Sequence, residues 1–462
     1  MLWRLCAVLA AAGTVLTAWQ PAPREVSLVL TGGAVVTIDA ASRVVWPGAV
    51  AVDGRDIVAI GTPEAIAARF KARESVDTTD HVVLPGLINT HTHAPMVLYR
   101  GLADDMALME WLQEVLFPAE AKTVSPEFVR AGTRLAALEM IQSGTTTYAD
   151  MYYFEEEIAR ATREAGIRGV LGQTIIEFPV ADAKTPTEGI ARASTFLREW
   201  AGDELIVPAI APHAMYTLDT ATLKAIRAVA DRERAPVILH LAETRDEVKI
   251  ARERHNATPV QYLESIGFWG PRTIAAHGVW LTPADIRILA RRQIGVSHNP
   301  ESNMKLASGT APVIDLHKAG VAVGLGTDGA ASNNDLDMFE AMRQAALLHK
   351  LTTGDPRAIP AATALRMATL DGARVLGLEK ELGSLEPGKR ADMIVVSMAS
   401  ARQTPLYDPV SHLVYVTCGG DVRSTIVNGR FVMRDRQVLT LNEPAVLHEA
   451  RAWAVKVRAA VK

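Results

Sequence analysis

The stretch LPGLINTHTH, residues 84–93, decides how this chain is read. A short apolar run ends in polar residues with histidines at positions 91 and 93. Residues i and i+2 of a strand face the same side. The stretch therefore predicts a strand over 84–90 that carries two imidazoles to one point beyond its C-terminal end. The same grammar returns seven times. Apolar runs at 145–150, 168–173, 206–211, 236–241, 273–277, 294–298 and 322–327 are separated by longer segments, and several of these have helical periodicity: 127–142, 154–165, 219–232 and 282–292. Strands alternating with helices predict parallel βα units, and eight of them predict a closed (β/α)8 barrel.

The text on either side of this middle region is different. Residues 27–60 alternate apolar and polar positions, with turn signals at Gly32-Gly33, Pro47-Gly48 and Asp53-Gly54. Residues 391–396 and 424–433 read in the same way, and 443–460 read as an amphipathic helix. The expected organisation is a composite β domain from 23–83 plus 381–440, a barrel over 84–380 and a C-terminal helix within 441–462. Residues 1–22 open with MLWR and an apolar run from Leu5 to Leu16, which is signal-peptide grammar with Ala18 as a candidate cleavage residue. If that signal is genuine, the protein is exported to the periplasm or beyond, with no membrane span after its removal; otherwise it is cytoplasmic.

Composition excludes several classes of function. The 462 residues carry 48 basic and 52 acidic side chains, for a net charge of −4, with no basic run to concentrate positive potential. A nucleic-acid partner is not expected on those terms. Two cysteines, Cys6 and Cys418, cannot make a disulfide framework or a CxxC metal site. What remains is a globular enzyme for a small molecule, alone or as a homo-oligomer.

The polar landmarks fall at the ends of the predicted strands, where barrel enzymes keep their chemistry. Besides His91 and His93 there are HLAE at 240–243, AAH at 275–277, SHNP at 297–300 and GTDG at 326–329. Three neutral imidazoles and a carboxylate suit a borderline divalent ion, and His91, His93, His240 and Asp328 are the expected ligands. Zn²⁺ is the first choice, with Fe²⁺ or Mn²⁺ as alternatives, one ion per chain. The fourth strand and its end, residues 206–213, have no lysine to bridge a second metal. His298 is read as structural or as support behind the ligands. A bound cation brings the pKa of water toward neutrality. Asp328 would take the proton of that water, His277 would hydrogen-bond to the attacking hydroxide, and Glu243 would protonate a ring nitrogen and then the departing amine. That division of labour fits hydrolysis of an amidine-like C–NH₂ group on a heteroaromatic ring.

These motifs, with SHNPESN at 297–303 and GTDGAASNN at 326–334, resemble the amidohydrolase superfamily. Within it, the chain looks most like the S-adenosylhomocysteine/5′-methylthioadenosine deaminases and their triazine-hydrolase relatives. The resemblance runs from about residue 27 to 440. It implies the barrel, a composite β-sandwich, one zinc-like ion and deamination of an adenosine-type nucleoside. It also implies that Trp111 walls the pocket and that Glu120 accepts hydrogen bonds from ribose hydroxyls. His213 and Ser332 would contact the substrate. Gln173 is placed in the substrate pocket too, at the end of the third strand. Homocysteine-recognising relatives carry arginines after that strand, whereas GQTIIEF at 172–178 offers none. A carboxylate tail wants a bidentate guanidinium, so a neutral nucleoside such as methylthioadenosine, adenosine or 5′-deoxyadenosine is expected over S-adenosylhomocysteine. The alternatives are hydrolysis of another ring substituent, such as the chloride or amine of an s-triazine, and a non-catalytic binding protein on the same scaffold.

Overall fold

Each of the eight apolar runs folds as a strand in the computed structural model, which describes residues 22–461. The strands are Leu87–Thr92, Thr145–Tyr152, Arg168–Ile175, Ile206–Pro212, Val237–Leu241, Thr273–His277, Gly295–His298 and Val323–Leu325. They pair in parallel in chain order. The ring closes where the Asp328 amide donates to the His91 carbonyl at 3.0 Å and the Thr90 hydroxyl donates to the Leu325 carbonyl at 2.9 Å. The fold is a (β/α)8 barrel. Ile88, Ala149, Val170, Ala209, Ile238 and Ile274 pack inside it, with Ala373, Val375 and Leu376 of the helix Leu370–Leu376 in the same cluster.

Two strands differ from the sequence expectation, each for a local reason. The run at 84–90 splits at Gly86, so that His81–Pro85 joins another sheet and the barrel strand begins at Leu87. The Gly86 amide donates to Asp392, and a Cβ at this residue would lie 2.1 Å from the Thr146 hydroxyl. Only glycine fits this close crossing between the sheets. The eighth run ends early, at Leu325: Gly326 gives the last ladder bond to the His298 carbonyl, and Asp328 then takes a positive φ of 66°.

The remaining strands form two facing sheets. One has four strands in the order Asp56–Gly61, Ala49–Asp53, Arg24–Thr31, Phe70–Asp77. The other has seven, in which Met393–Ser397 pairs with both His81–Pro85 and Val422–Val427. Leu28, Leu30, Val50 and Val52 of the first sheet pack against Val83, Met393, Val395 and Ile426 of the second. Both ends of the barrel segment are thus tied to one β-sandwich. The helix Glu443–Val461 follows and sets Trp453 edge-on to Phe128 of the helix Pro126–Ser143. No helix among the described residues is long and apolar enough to cross a membrane. Residues 1–21 of the expected signal peptide lie outside the described residues.

Candidate active site

The strand ends bring their polar residues to one point. His91, His93 and His240 each offer a ring nitrogen within 4.8 Å of the others, and His91, His277 and Asp328 form a second such set sharing His91. The backbone fixes two of the rings. His93 gives its Nδ1 to the Met151 carbonyl at 2.7 Å, and His240 gives its Nδ1 to the His213 carbonyl at 2.9 Å. Each ring then turns a bare Nε2 inward, and the two Nε2 atoms stand 3.3 Å apart. Lone pairs at that separation repel unless a cation or a proton lies between them. Neither nitrogen of the fully buried His91 makes a hydrogen bond among the described residues, and its Nε2 is 3.4 Å from Asp328 Oδ1.

The charges fit the same picture. Burial lowers His91 to about 4 and takes His240 well below the usual imidazole range, so both are neutral donors. Burial also opposes a charge on His93, but Asp328, 3.3 Å from its Nε2, outweighs it and pushes the ring up to about 9. A proton there occupies a position that a divalent cation would displace. Burial works against the Asp328 carboxylate as well, yet the rings of His91 and His93 beside it hold it well below the usual range. Its Oδ2 accepts from Ser302 at 2.7 Å and from Ser332 at 2.8 Å, and its Oδ1 from the Gly329 amide at 2.8 Å. Donors, neutral rings and one fixed carboxylate suit a divalent metal.

Glu243 and His277 stand beside this cluster. Glu243 is 7% exposed, and burial pushes its carboxyl above the ordinary range. Its Oε2 lies 3.8 Å from His277 Nε2. The other side of the His277 ring faces Asn303 Oδ1 at 3.1 Å and Asn299 Nδ2 at 3.3 Å. An acceptor and a donor at the same nitrogen support either tautomer. The backbone is strained at this level of the barrel: Ala242, His277 and Asp328 have φ values of 49°, 73° and 66°. Such residues cost of order 1–3 kcal/mol each and gather at functional sites.

One cavity joins the cluster to a roof formed by residues 94–123. The roof runs through the 3₁₀ turn Ala94–Tyr99, the π-helical turn Trp111–Leu116 and the helix Phe117–Thr123. Trp111, Glu120, His213 and Ser332 all line the cavity with His93, His240, Glu243, His277 and Asp328. Burial pushes Glu120 up to about 7, although the Tyr152 hydroxyl donates to its Oε1 at 2.5 Å and pulls the other way. Burial lowers His213 to about 3. Apart from Thr174, the rest of the lining is apolar or aromatic, including Leu108, Leu112, Leu116, Phe117, Tyr153 and Tyr216, and among the described residues it contains no lysine or arginine.

Gln173 is a correction. It does not line the cavity; its amide donates to Asp182 at 2.8 Å. Strand parity is the reason. Val170 packs inside the barrel while Leu171 and Ile175 pack outside it, so Thr174 reaches the cavity and Gln173 turns to the outer layer. His298 is fully buried away from the cavity, its Nε2 3.2 Å from that of His349. The sequence reading missed Tyr152, Tyr216 and Thr174 on the cavity wall, and Ser302 and Asn303 behind it. The motif SHNPESN held the signal for the last two.

Residues 82–432 match the amidohydrolase family. The chain is 48% identical over 431 residues to a 5-methylthioadenosine/S-adenosylhomocysteine deaminase of Syntrophobacter fumaroxidans, covering 93% of this chain and 98% of that one. It is 43% identical over 436 residues to a 5′-deoxyadenosine deaminase of Methanosarcina mazei, covering 94% and 99%. Its fold matches the crystal structure of an adenosine deaminase from Xanthomonas campestris with bound zinc, with a TM-score of 0.93, 40% identity and coverage of 95% and 100%. The match spans the barrel and its strand-end residues alike, and the chain belongs to the amidohydrolase family.

Proposed function

We propose that this protein is a metal-dependent deaminase of adenosine-type nucleosides that replaces the ring amine with oxygen and releases ammonia. One observation carries the reading: His91, His93, His240 and Asp328 converge on one point, and all of them but the fully buried His91 line one cavity with Glu243. The deaminase relatives support the substrate class. These four side chains would hold the ion, with zinc favoured by three imidazoles and one carboxylate and by the zinc in the related adenosine deaminase. When bound, such a cation makes water acidic enough to serve as a nucleophile near neutral pH.

The side chains divide the remaining work. Asp328 is held ionised and accepts a proton. Burial raises the Glu243 carboxyl and so favours the form that donates to the ring nitrogen and lets the adjacent carbon become tetrahedral. The proton taken up at Asp328 then leaves with the amine, and the added hydroxyl returns a proton to Glu243 as the ring carbonyl forms. His277 orients the incoming water from beside Glu243. Trp111 walls the purine, Glu120 accepts from the sugar hydroxyls, and His213 and Ser332 complete the contacts.

A largely apolar lining without lysine or arginine among the described residues favours a neutral 5′ group. A carboxylate tail there would lose its hydration without a guanidinium in return. The test is ammonia release from zinc-loaded protein given adenosine, 5′-deoxyadenosine, methylthioadenosine and S-adenosylhomocysteine. The neutral substrates should be turned over with the last one poorest. No ammonia from any of the four would end the proposal.

A further inference from the structure

Three carboxylates line the cavity, and Glu120 is the one that belongs to the roof rather than to the strand ends. Its contact with the barrel runs through Tyr152, the last residue of the second barrel strand, which is 4% exposed. An ionised carboxylate can only accept, so the phenol donates in the 2.5 Å bond to Oε1. The neighbouring phenol is engaged elsewhere. Tyr99 pairs with the Thr123 hydroxyl at 2.6 Å, and Thr123 gives its own proton to the Ala119 carbonyl at 2.7 Å.

We propose that Tyr152 is a positioning residue that holds Glu120 in the rotamer and charge state needed to accept hydrogen bonds from the hydroxyls of the substrate's sugar. This rests on the nucleoside reading above and names the group behind its sugar contact. The titratable groups facing Glu120 are Tyr99, Tyr152 and Tyr153, all neutral phenols raised above their ordinary range by burial, and His93 across the cavity. Without the Tyr152 hydroxyl, Glu120 would keep its burial and lose its bonded donor. Its carboxyl would then protonate at higher pH and turn more freely. The ring itself packs against Tyr153 at 4.9 Å and would remain in a phenylalanine variant.

The experiment measures kcat and KM for adenosine and 2′,3′-dideoxyadenosine with zinc-loaded wild type, Tyr152→Phe, Glu120→Gln and Tyr99→Phe. Wild type should show a much higher KM for the dideoxy compound. Tyr152→Phe should raise KM for adenosine about tenfold, leave KM for dideoxyadenosine unchanged and keep kcat within about twofold. The acid limb of kcat/KM for adenosine should move up by about one pH unit. Tyr99→Phe should lower the melting temperature without changing the ratio of the two KM values. If Tyr152→Phe raises both KM values equally, or neither, and the acid limb stays in place, the positioning role is wrong while the nucleoside reading stands. If wild type itself does not distinguish the two compounds, the sugar contact of Glu120 fails and takes this proposal with it.

Discussion

The ring of strand-end residues and the roof over residues 94–123 enclose the same cavity, but they are held in different ways. In the ring, main-chain carbonyls fix the tautomers of His93 and His240, and two serines and an amide fix Asp328. The roof is a chain of short helical turns with a π-helical turn at its centre, a geometry that is rare outside functional sites. Its ties are few side-chain bonds, among them Tyr152 to Glu120 and Lys305 to Asp104 at 2.5 Å. On the function proposed above, the barrel would set the chemistry and the roof would set what is admitted to it. This is the separation between rigid scaffold and selective loop that barrel enzymes exploit.

Substitutions in the two regions should therefore fail in different ways. The largest effect is expected at Asp328. Asp328→Ala should lose the bound metal on dialysis and lower turnover by roughly a thousandfold or more; metal analysis and ammonia release check both. A variant that keeps full metal and rate would dissolve the ring as drawn. Next is Glu243→Gln, which should retain the metal and lose about 10² to 10⁴ in kcat. Because Glu243 works as a proton donor with a raised pKa, wild-type kcat should fall as pH rises through that value. A pH profile with no such alkaline limb would count against the role.

Smaller effects belong to the roof. Glu120→Gln should raise KM for adenosine by about 10- to 100-fold with kcat nearly unchanged. The binding form is the carboxylate, so with a pKa pushed up to about 7, wild-type kcat/KM should fall as pH drops through neutrality. Equal losses in kcat and kcat/KM would instead place Glu120 in the chemical step and erase the contrast. The smallest change is at Gln173, outside both regions. Gln173→Leu should alter KM less than about twofold while costing about 0.5–1.5 kcal/mol of stability through one hydrogen bond lost at Asp182, which keeps the Phe154 amide, read from denaturant unfolding. A KM effect as large as that of Glu120→Gln would return Gln173 to the pocket.

The ring was legible because a βα unit puts the residues after each strand at one end of the barrel, whatever packs around it. His91, His93, His240, His277 and Asp328 could thus be brought together from their places in the chain alone. The splitting of the first run at Gly86 was less so, because it depends on Thr146 coming within 2.1 Å of where a Cβ would stand. Gln173 was misplaced although the needed signal was local. Val170, Gly172 and Thr174 share one face of the strand, and alternation alone turns Gln173 away.

What the sequence by itself determined is the barrel, the composite sandwich and the list of groups able to bind a cation and move protons. These follow from periodicity and from which residue types end each strand. The tertiary structure alone decided that Tyr152 meets Glu120, that two serines grip Asp328, and that the described lining of the cavity has no lysine or arginine. Those facts depend on how a helical segment lies over the barrel mouth. That placement is set by packing between residues distant in the chain, which no local pattern encodes.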